Sequence, residues 1–232
     1  MMLTDYEWQA IELSLKVSIT AVIFSLPLGV LAAWVLVRCR FLGKSLLDSI
    51  IHLPLVLPPV VIGYLLLIGM GRKGIIGQWL YEWFGLSFSF SWRGAALASA
   101  VIAFPLMVRA IRLALEAVDT RLELAARTLG ANPWRVFFTI TLPLSFPGIV
   151  AGTVLAFARS LGEFGATITF VSNIPGETRT IPSAMYTLIQ KPGAEADAAR
   201  LCVIAILLSM ASLLLSEWLT RWGRKRWCNA GA

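Results

Sequence analysis

The stretch that decides the fold runs from residue 116 to residue 143 and reads EAVDTRLELAARTLGANPWRVFFTITLP. It is polar and lies between two long apolar runs. Gly130 suits a helix C-terminus, and Pro133 suits the first turn of the next helix. Small and apolar residues recur before the glycine at helical spacing, at Leu122, Ala125, Ala126 and Leu129. The stretch therefore predicts a helix, a sharp turn and a second helix that leads back to the apolar part of the chain.

The apolar runs around this stretch predict an all-α integral membrane protein. The chain has 232 residues, of which 58% are hydrophobic and only 14% are charged. A soluble domain is typically about 25% charged. Five segments are long enough to cross a hydrocarbon core of about 30 Å. They cover about residues 11–37, 46–70, 94–115, 146–171 and 201–219, with a cytoplasmic loop at 116–145, and we expect residues 1–232 to form one transmembrane domain. The Pro58–Pro59 pair is expected to kink the second span.

The polar segment 172–200 lies between the fourth and fifth spans. It contains the turn signal Pro175–Gly176 and a short apolar piece at 181–189. That piece is too short to span a membrane by itself. It predicts a surface or re-entrant helix, and part of a sixth span is the alternative.

The distribution of basic residues predicts the orientation. Cytoplasmic loops carry an excess of Lys and Arg. If the C-terminus is cytoplasmic, the larger share of the basic residues falls on that side: Arg38, Arg40, Lys44, Arg109, Arg112, Arg121, Arg127, Arg135, Arg221, Arg224, Lys225 and Arg226. The opposite side then holds Arg72, Lys73, Arg93, Arg179, Lys191 and Arg200. We therefore expect an external N-terminus, an internal C-terminus and an internal loop at 116–145.

The loop resembles the EAA motif of ABC importer permeases. That motif reads Glu-Ala-Ala, three residues, Gly, nine residues, Ile, one residue and Leu-Pro. Ala125, Ala126, Gly130, Ile140, Leu142 and Pro143 fit this spacing without a gap. One position departs from the motif, because Leu124 stands where the family often has Glu and the acid is Glu123. The other positions of the motif keep their spacing.

The resemblance implies a type I importer permease that works with other subunits. In the family, the loop docks into a groove on a cytoplasmic ATPase, which binds ATP and Mg. This chain has no Gly-x-x-x-x-Gly-Lys-Ser/Thr phosphate loop. The resemblance therefore implies a subunit that is not an enzyme and binds no cofactor. It pairs with a second copy of itself and two ATPase subunits in a bacterial inner membrane, and a periplasmic binding protein selects the substrate.

Other stretches indicate which branch of the family the chain resembles. Residues 52–63 and 157–166 look like the branch that imports sulfate and molybdate, and residues 168–190 look like its molybdate permeases. Sulfate or thiosulfate is the alternative substrate, and tungstate could accompany molybdate. On this resemblance, segment 172–200 is the docking and gating surface for the binding protein. Asn173, Thr178, Arg179 and Thr180 are its candidate contacts.

The fourth span carries the candidate residues of the translocation path. Arg159 and Glu163 are four residues apart in an apolar run, so they are expected to share a helix face and to pair. One reading is a gate or anion-sensing pair, and the other is a structural pair that orients the helix. Gly162 and Gly165 permit close helix contact, and with Gly148 and Gly152 they suggest a surface that faces a second subunit.

Composition argues against several other functions. The net charge of +7 reflects basic residues at the ends of apolar runs, so nucleic-acid binding is not expected. The single histidine and three scattered cysteines predict no metal site and no disulfide framework. A secondary transporter would need free coupling carboxylates inside its spans, and Glu163 has Arg159 nearby. A membrane enzyme would need a cluster of catalytic side chains, and none is evident in the sequence.

Overall fold

The described part of the chain, residues 4–229 of a computed structural model, consists of helices joined by turns and short loops and contains no strand. The helices, in chain order, are α1 (Asp5–Arg38), α2 (Lys44–Val56), α3 (Pro59–Met70), α4 (Ile75–Phe84), α5 (Trp92–Glu116), α6 (Thr120–Thr128), α7 (Pro133–Val136), α8 (Leu142–Leu161), α9 (Gly165–Val171), α10 (Ile181–Ile189) and α11 (Glu195–Asn229). A π-helical segment, Phe137–Thr141, joins α7 to α8 without a break.

Four of the described helical stretches are long and apolar enough to cross a membrane. They are α1, α5, the continuous helix Pro133–Leu161 and α11 as far as Leu219. The pair α2–α3 adds a fifth if it is counted as one bent span. The predicted helical membrane fold is confirmed. Helix α4 was not predicted, although Ile75, Ile76, Trp79 and Leu80 follow a helical spacing.

The first span begins earlier than predicted, at Asp5 rather than near residue 11. Thr4 and Glu7 form a capping box, in which the Glu7 carboxylate accepts the Thr4 amide at 2.8 Å. A Ser or Thr followed three residues later by Glu is a known start signal for a helix. The acidic N-terminal residues are therefore part of the helix.

The second span bends by 114° between α2 and α3. Leu57 and Pro58 both have extended backbones, and Pro59 begins the next helix. Proline disfavours a helical residue before it and has no amide hydrogen to donate. The double proline therefore separates two short helices, which is a sharper change than the expected kink.

The fourth span is not the continuous helix predicted for residues 146–171. Helix α8 ends at Leu161, the chain turns over residues 162–164, and α9 begins at Gly165. One Glu163 carboxylate oxygen accepts the Ala166 amide at 2.9 Å. The side chain thus satisfies an amide at the start of α9 that has no partner within the helix.

Glycines allow α3 and α9 to cross at close range. A Cβ atom on Gly63 would lie 2.5 Å from the carbonyl oxygen of Ala166, and one on Gly165 would lie 2.9 Å from Pro59. Gly148 and Gly152 pack in the same way against Ala114 and Ala110 of α5. Gly148, Gly152 and Gly165 face helices of their own chain, so the suggestion that they face a second subunit is wrong for these three. Gly162 is exposed and packs against no other described helix, so for this residue the suggestion stays a prediction.

Helices α1, α5 and α8 form the centre of the molecule. Their buried side chains include Leu36, Met107, Ile111 and Ala156. Helix α2, in contrast, buries none of its residues, and α3 buries only Ile62 and Gly63. The α2–α3 pair therefore presents an apolar surface on the outside of the single chain.

Candidate functional sites

The predicted helix–turn–helix forms at residues 120–136. Asp119 begins α6, and its side chain accepts the Arg121 amide at 2.9 Å. Gly130 follows α6 with a φ of 86°, a left-handed conformation that favours glycine. Asn132 then begins α7 by accepting the Arg135 amide at 2.7 Å. The residues of the turn thus fix the direction of α7 relative to α6.

The Glu123 carboxylate points into the permease. Its Oε1 accepts hydrogen bonds from Arg38 Nη2 at 2.5 Å and from Thr141 Oγ1 at 2.7 Å. Glu123 is only 8% exposed. Arg38 is the last residue of α1, and Thr141 ends the π-helical segment. Glu123 therefore joins α6 to two other elements of its own chain, whereas the sequence pattern had placed it among the ATPase-coupling residues.

The remaining motif residues divide into two groups. Ala125 and Gly130 are exposed and Ala126 is half-buried, all on α6 or the turn after it. Ile140, Leu142 and Pro143 are half-buried where the π-helical segment meets α8. The first group is available to a partner, while the second lies where the loop enters the membrane helix.

An aromatic cluster holds the second half of the loop to α1. The Trp34 ring stacks on Trp134 with centroids 6.3 Å apart and meets Phe137 edge-on at 6.0 Å. Trp134 also stacks on Phe138 at 6.4 Å. Aromatic pairs of this kind contribute about 0.5–1.5 kcal/mol beyond area burial. The analysis of the sequence missed this cluster, although the spacing of Trp134, Phe137 and Phe138 places them on one side of a helix.

Arg159 and Glu163 form the expected ion pair, with Arg159 Nη1 2.8 Å from Glu163 Oε2. The Glu163 side chain is 1% exposed and the Arg159 side chain 32% exposed. The two residues do not share one helix, since Glu163 lies in the turn beyond α8. Gly162 and Gly165 flank this turn, and Gly162 also lines an apolar cavity of about 370 Å³ between α8, α10 and α11. Glu163 thus holds the partly exposed Arg159 guanidinium at the turn between α8 and α9.

The polar segment after α9 uses most of its polar groups internally. Thr178 and Thr180 are buried. Asn173 donates to Thr187 Oγ1 at 2.8 Å and accepts from Arg179 Nε at 3.0 Å. Thr178 and Thr180 are therefore unavailable as surface contacts, which corrects the prediction for those two. The short apolar piece forms α10, as predicted.

The far end of α1 is tied to the start of α11. Arg200 Nε donates to the buried Glu7 carboxylate at 3.0 Å and also pairs with Asp197 at 2.6 Å. The Arg179 guanidinium stacks on Tyr6 at 4.8 Å. Helix α1 is therefore fastened by charged groups at both ends, to α6 at one end and to α11 at the other.

These helices and the loop define a transmembrane permease of the type I ABC importer class. Residues 25–227 match the family described as "Binding-protein-dependent transport system inner membrane component", and the chain belongs to this family. It is a multi-pass inner membrane protein. The family consists of transporter permeases, which are not themselves catalytic. Across the residues that the structure describes, no cluster of His, Cys, Asp and Glu is arranged to hold a metal ion.

Several relatives match almost the whole chain. The "Molybdenum transport system permease protein ModB" of Escherichia coli K12 is 75% identical over 97% of this chain and 99% of its own length. The protein of the same description from Haemophilus influenzae is 68% identical over 95% of this chain and 96% of its own. Among solved structures, a bacterial ABC transporter involved in the import of the acidic polysaccharide alginate aligns with a TM-score of 0.73 at 20% identity. That alignment covers 94% of this chain and 80% of the other and shows the shared fold.

Proposed function

We propose that this chain forms the membrane path of an ATP-driven importer that carries molybdate from a periplasmic binding protein into the cytoplasm. The identity of 75% to a molybdenum transport permease, over nearly the full length of both chains, carries the proposal. Molybdate is a tetrahedral dianion, and burying its charge without partners in a low-dielectric slab is costly. A path lined by polar or charged groups through the membrane lowers that cost, because it supplies partners for the charge.

The proposed complex contains this chain twice, with two cytoplasmic ATPase subunits that bind ATP and Mg. The exposed part of the loop, around Ala125 and Gly130, is the proposed contact with the ATPase. The apolar outer surface of α2 and α3 supports a second copy as a neighbour, since so few of its residues are covered within the single chain. Arg159, Glu163, Gly162 and Gly165 are the proposed residues of the path or gate.

The proposed orientation places the N-terminus outside and the loop and C-terminus inside. The ion pair of Glu123 with Arg38 supports placing the loop and the basic end of α1 on one side of the membrane. The excess of basic residues on that side supports its assignment to the cytoplasm. The pairing of Arg200 with Glu7 agrees, because it joins the two ends assigned to the outside. Segment 172–200 would meet the binding protein there.

Uptake in a strain that lacks the permease gene tests the function. We expect the chain, expressed with its ATPase and binding protein, to restore accumulation of radiolabelled molybdate and growth at limiting molybdate. Excess sulfate should compete poorly. Restoration of sulfate uptake instead would favour the alternative substrate. Uptake that persists without any ATPase subunit would contradict the ABC mechanism and support a secondary transporter.

A further inference from the structure

An apolar groove of about 590 Å³ opens between α1 and α5, near the end at which α5 begins. Small side chains leave this space, because Ala21 of α1 and Ala96 and Ala100 of α5 stand where larger residues would fill it. Phe24 belongs to the α1 side of the same lining. Among the described residues that line the groove, Arg93 alone carries a charge. The groove therefore suits an apolar ligand that has one charged end.

Two basic residues stand beside the Trp92 ring and form, with it, the groove mouth. Lys16 Nζ lies 4.0 Å from the ring centroid, and the Arg93 guanidinium carbon lies 5.8 Å from it. Both basic residues are exposed. Neither side chain has an ion pair or a hydrogen bond to any residue whose contacts the structure describes. Two cations at the groove mouth are thus available to an anion.

The groove mouth is at the end of the helix bundle where a membrane surface is expected. Lys16 lies inside the first apolar run of the sequence, but in the structure it is level with Trp92, the first residue of α5. Tryptophan is enriched where a membrane meets water. Trp79 and Trp83 of the preceding helix, α4, are exposed as well. These aromatic residues place the groove mouth near the lipid headgroups.

The depth of the groove matches one leaflet of a bilayer. The groove continues along α1 to Phe24 and along α5 to Ala100, each eight residues beyond Lys16 or Trp92. At about 1.5 Å per residue, this is a depth of about 12 Å. Half of a hydrocarbon core of about 30 Å is about 15 Å. An acyl chain that starts at the level of Trp92 would therefore lie in the groove through most of its leaflet.

We propose that the groove binds one anionic phospholipid, with an acyl chain between α1 and α5 and the headgroup phosphate at Lys16 and Arg93. The inference goes beyond the proposed function and does not depend on which side of the membrane the groove mouth faces. Arginine and lysine both bind phosphate oxygens through charge-assisted hydrogen bonds. A zwitterionic lipid brings its own cation to the two basic residues and is therefore the weaker ligand. Free phosphate would use the charged end of the site and leave the apolar part empty.

A second copy of the chain is a different occupant for the groove, and the charges disfavour it. A surface on the axis of a two-fold dimer faces its own counterpart. Lys16 and Arg93 would then approach the same basic residues of the other copy, and like charges that meet across an interface are destabilising. A lipid of the opposite charge fits the groove better.

The test measures lipid binding to the full-length permease, delipidated in detergent, by native mass spectrometry. Phosphatidylglycerol and phosphatidylcholine with the same acyl chains are titrated separately. The variant Lys16→Gln with Arg93→Gln removes the two charges. Its matched control, Lys73→Gln with Lys191→Gln, removes two charges from exposed residues outside the groove. Ala100→Phe fills the groove and keeps both charges.

We expect the wild type to bind one phosphatidylglycerol at least about fivefold more tightly than phosphatidylcholine, because the basic residues attract the anionic headgroup. Lys16→Gln with Arg93→Gln should bind phosphatidylglycerol about tenfold more weakly, since each basic residue near a membrane surface adds to this attraction. Ala100→Phe should also weaken binding, because the acyl chain loses its space. The control should keep the wild-type affinity, and an excess of inorganic phosphate should not displace the lipid.

Several results would overturn the inference. Equal affinity for the two lipids, or wild-type affinity in the charge variant or in Ala100→Phe, would show that the groove and its basic residues are not the site. Displacement by inorganic phosphate would assign the basic residues to a free anion, and conversion of dimer to monomer by Ala100→Phe would assign the groove to a second copy. If Ala100→Phe fails to fold, the charge variant and its control decide the question. None of these results bears on the importer function.

Discussion

The Glu123 carboxylate and the Arg38 guanidinium are 85 positions apart in sequence and form an ion pair at 2.5 Å. The pair joins α6 to the end of α1, and Thr141 donates to the same carboxylate oxygen. Helix α6, the end of α1 and the residue before α8 are therefore joined at one carboxylate. A movement of α6 would have to carry α1 and α8 with it or break these hydrogen bonds.

Removing the charge at this junction should uncouple ATP hydrolysis from uptake. In Glu123→Gln, the Arg38 guanidinium loses its charged acceptor, which costs about 1–3 kcal/mol. We expect less molybdate imported per ATP hydrolysed, measured in proteoliposomes, and partial recovery in the exchanged pair Arg38→Glu with Glu123→Arg. The control is Glu12→Gln, an exposed carboxylate on α1 with no ion pair among the described residues. An unchanged ratio in Glu123→Gln would contradict the role of the pair.

Two substitutions at Gly130 distinguish the effect of backbone strain from the effect of a charge on the proposed docking surface. Its φ of 86° is left-handed, but a Cβ atom there meets no other atom within 4 Å. Asn and Asp tolerate this conformation better than other residues with side chains. We expect Gly130→Asp to insert normally and abolish ATP-coupled uptake, because its charge enters the docking surface. Gly130→Asn, which has the same shape without the charge, should keep most of the activity. Equal loss in both variants, or normal uptake and ATPase association in Gly130→Asp, would rule this out.

Arg159 is expected to matter more to transport than to folding. Arg159→Leu alone would leave the Glu163 carboxylate buried without its ion-pair partner. The double variant Arg159→Leu with Glu163→Leu removes the pair, although it also removes the acceptor of the Ala166 amide. Arg159→Leu with Glu163→Gln keeps that acceptor and is the better test. We expect it to assemble at wild-type levels and to import molybdate about tenfold more slowly, equivalent to about 1.4 kcal/mol. Wild-type uptake in either double variant would make the pair purely structural.

The crossing of α3 and α9 should be sensitive to a single methyl group. Gly63→Ala places a Cβ atom 2.5 Å from the Ala166 carbonyl oxygen, and the backbone must shift to accommodate it. Overpacking of this kind costs about 1–3 kcal/mol. We expect a lower melting temperature in detergent. Gly69→Ala is the matched control on the same helix, since nothing lies within 4 Å of its added methyl. Equal melting temperatures would mean that the two helices separate at little cost.

Cysteine labelling tests the orientation. In a variant with Cys39, Cys202 and Cys228 replaced by serine, Leu129→Cys should react with an impermeant maleimide only after the cells are opened. Glu177→Cys should react in intact cells whose outer membrane has been permeabilised. Both positions are exposed, so accessibility within the fold does not limit the reaction. Labelling of position 129 from the periplasm would reverse the topology and remove the proposed ATPase contact.

The sequence predicts the local features of this protein better than those that depend on distant partners. The turn at Gly130 follows from residues adjacent to it, and so does the proline break before α3. The inward direction of Glu123 depends on Arg38 in another helix, and no spacing within the loop reveals it. The break after α8 is similar, because a run of apolar residues with Gly162 looks continuous until Glu163 is seen to cap Ala166. The capping box at Thr4 was readable from sequence and was overlooked.

The π-helical segment Phe137–Thr141 affects how α8 is oriented about its axis relative to the loop. A π turn holds more residues than an α turn. Restoring α-helical geometry over these five residues without a deletion would turn α8 by about 100° about its axis relative to the loop, because the wider turn absorbs one residue. Arg159 would then face another direction while α6 stayed where it was. Deleting one residue as well would bring the two back into phase, so the wide turn and its extra residue together set the direction of Arg159 relative to α6.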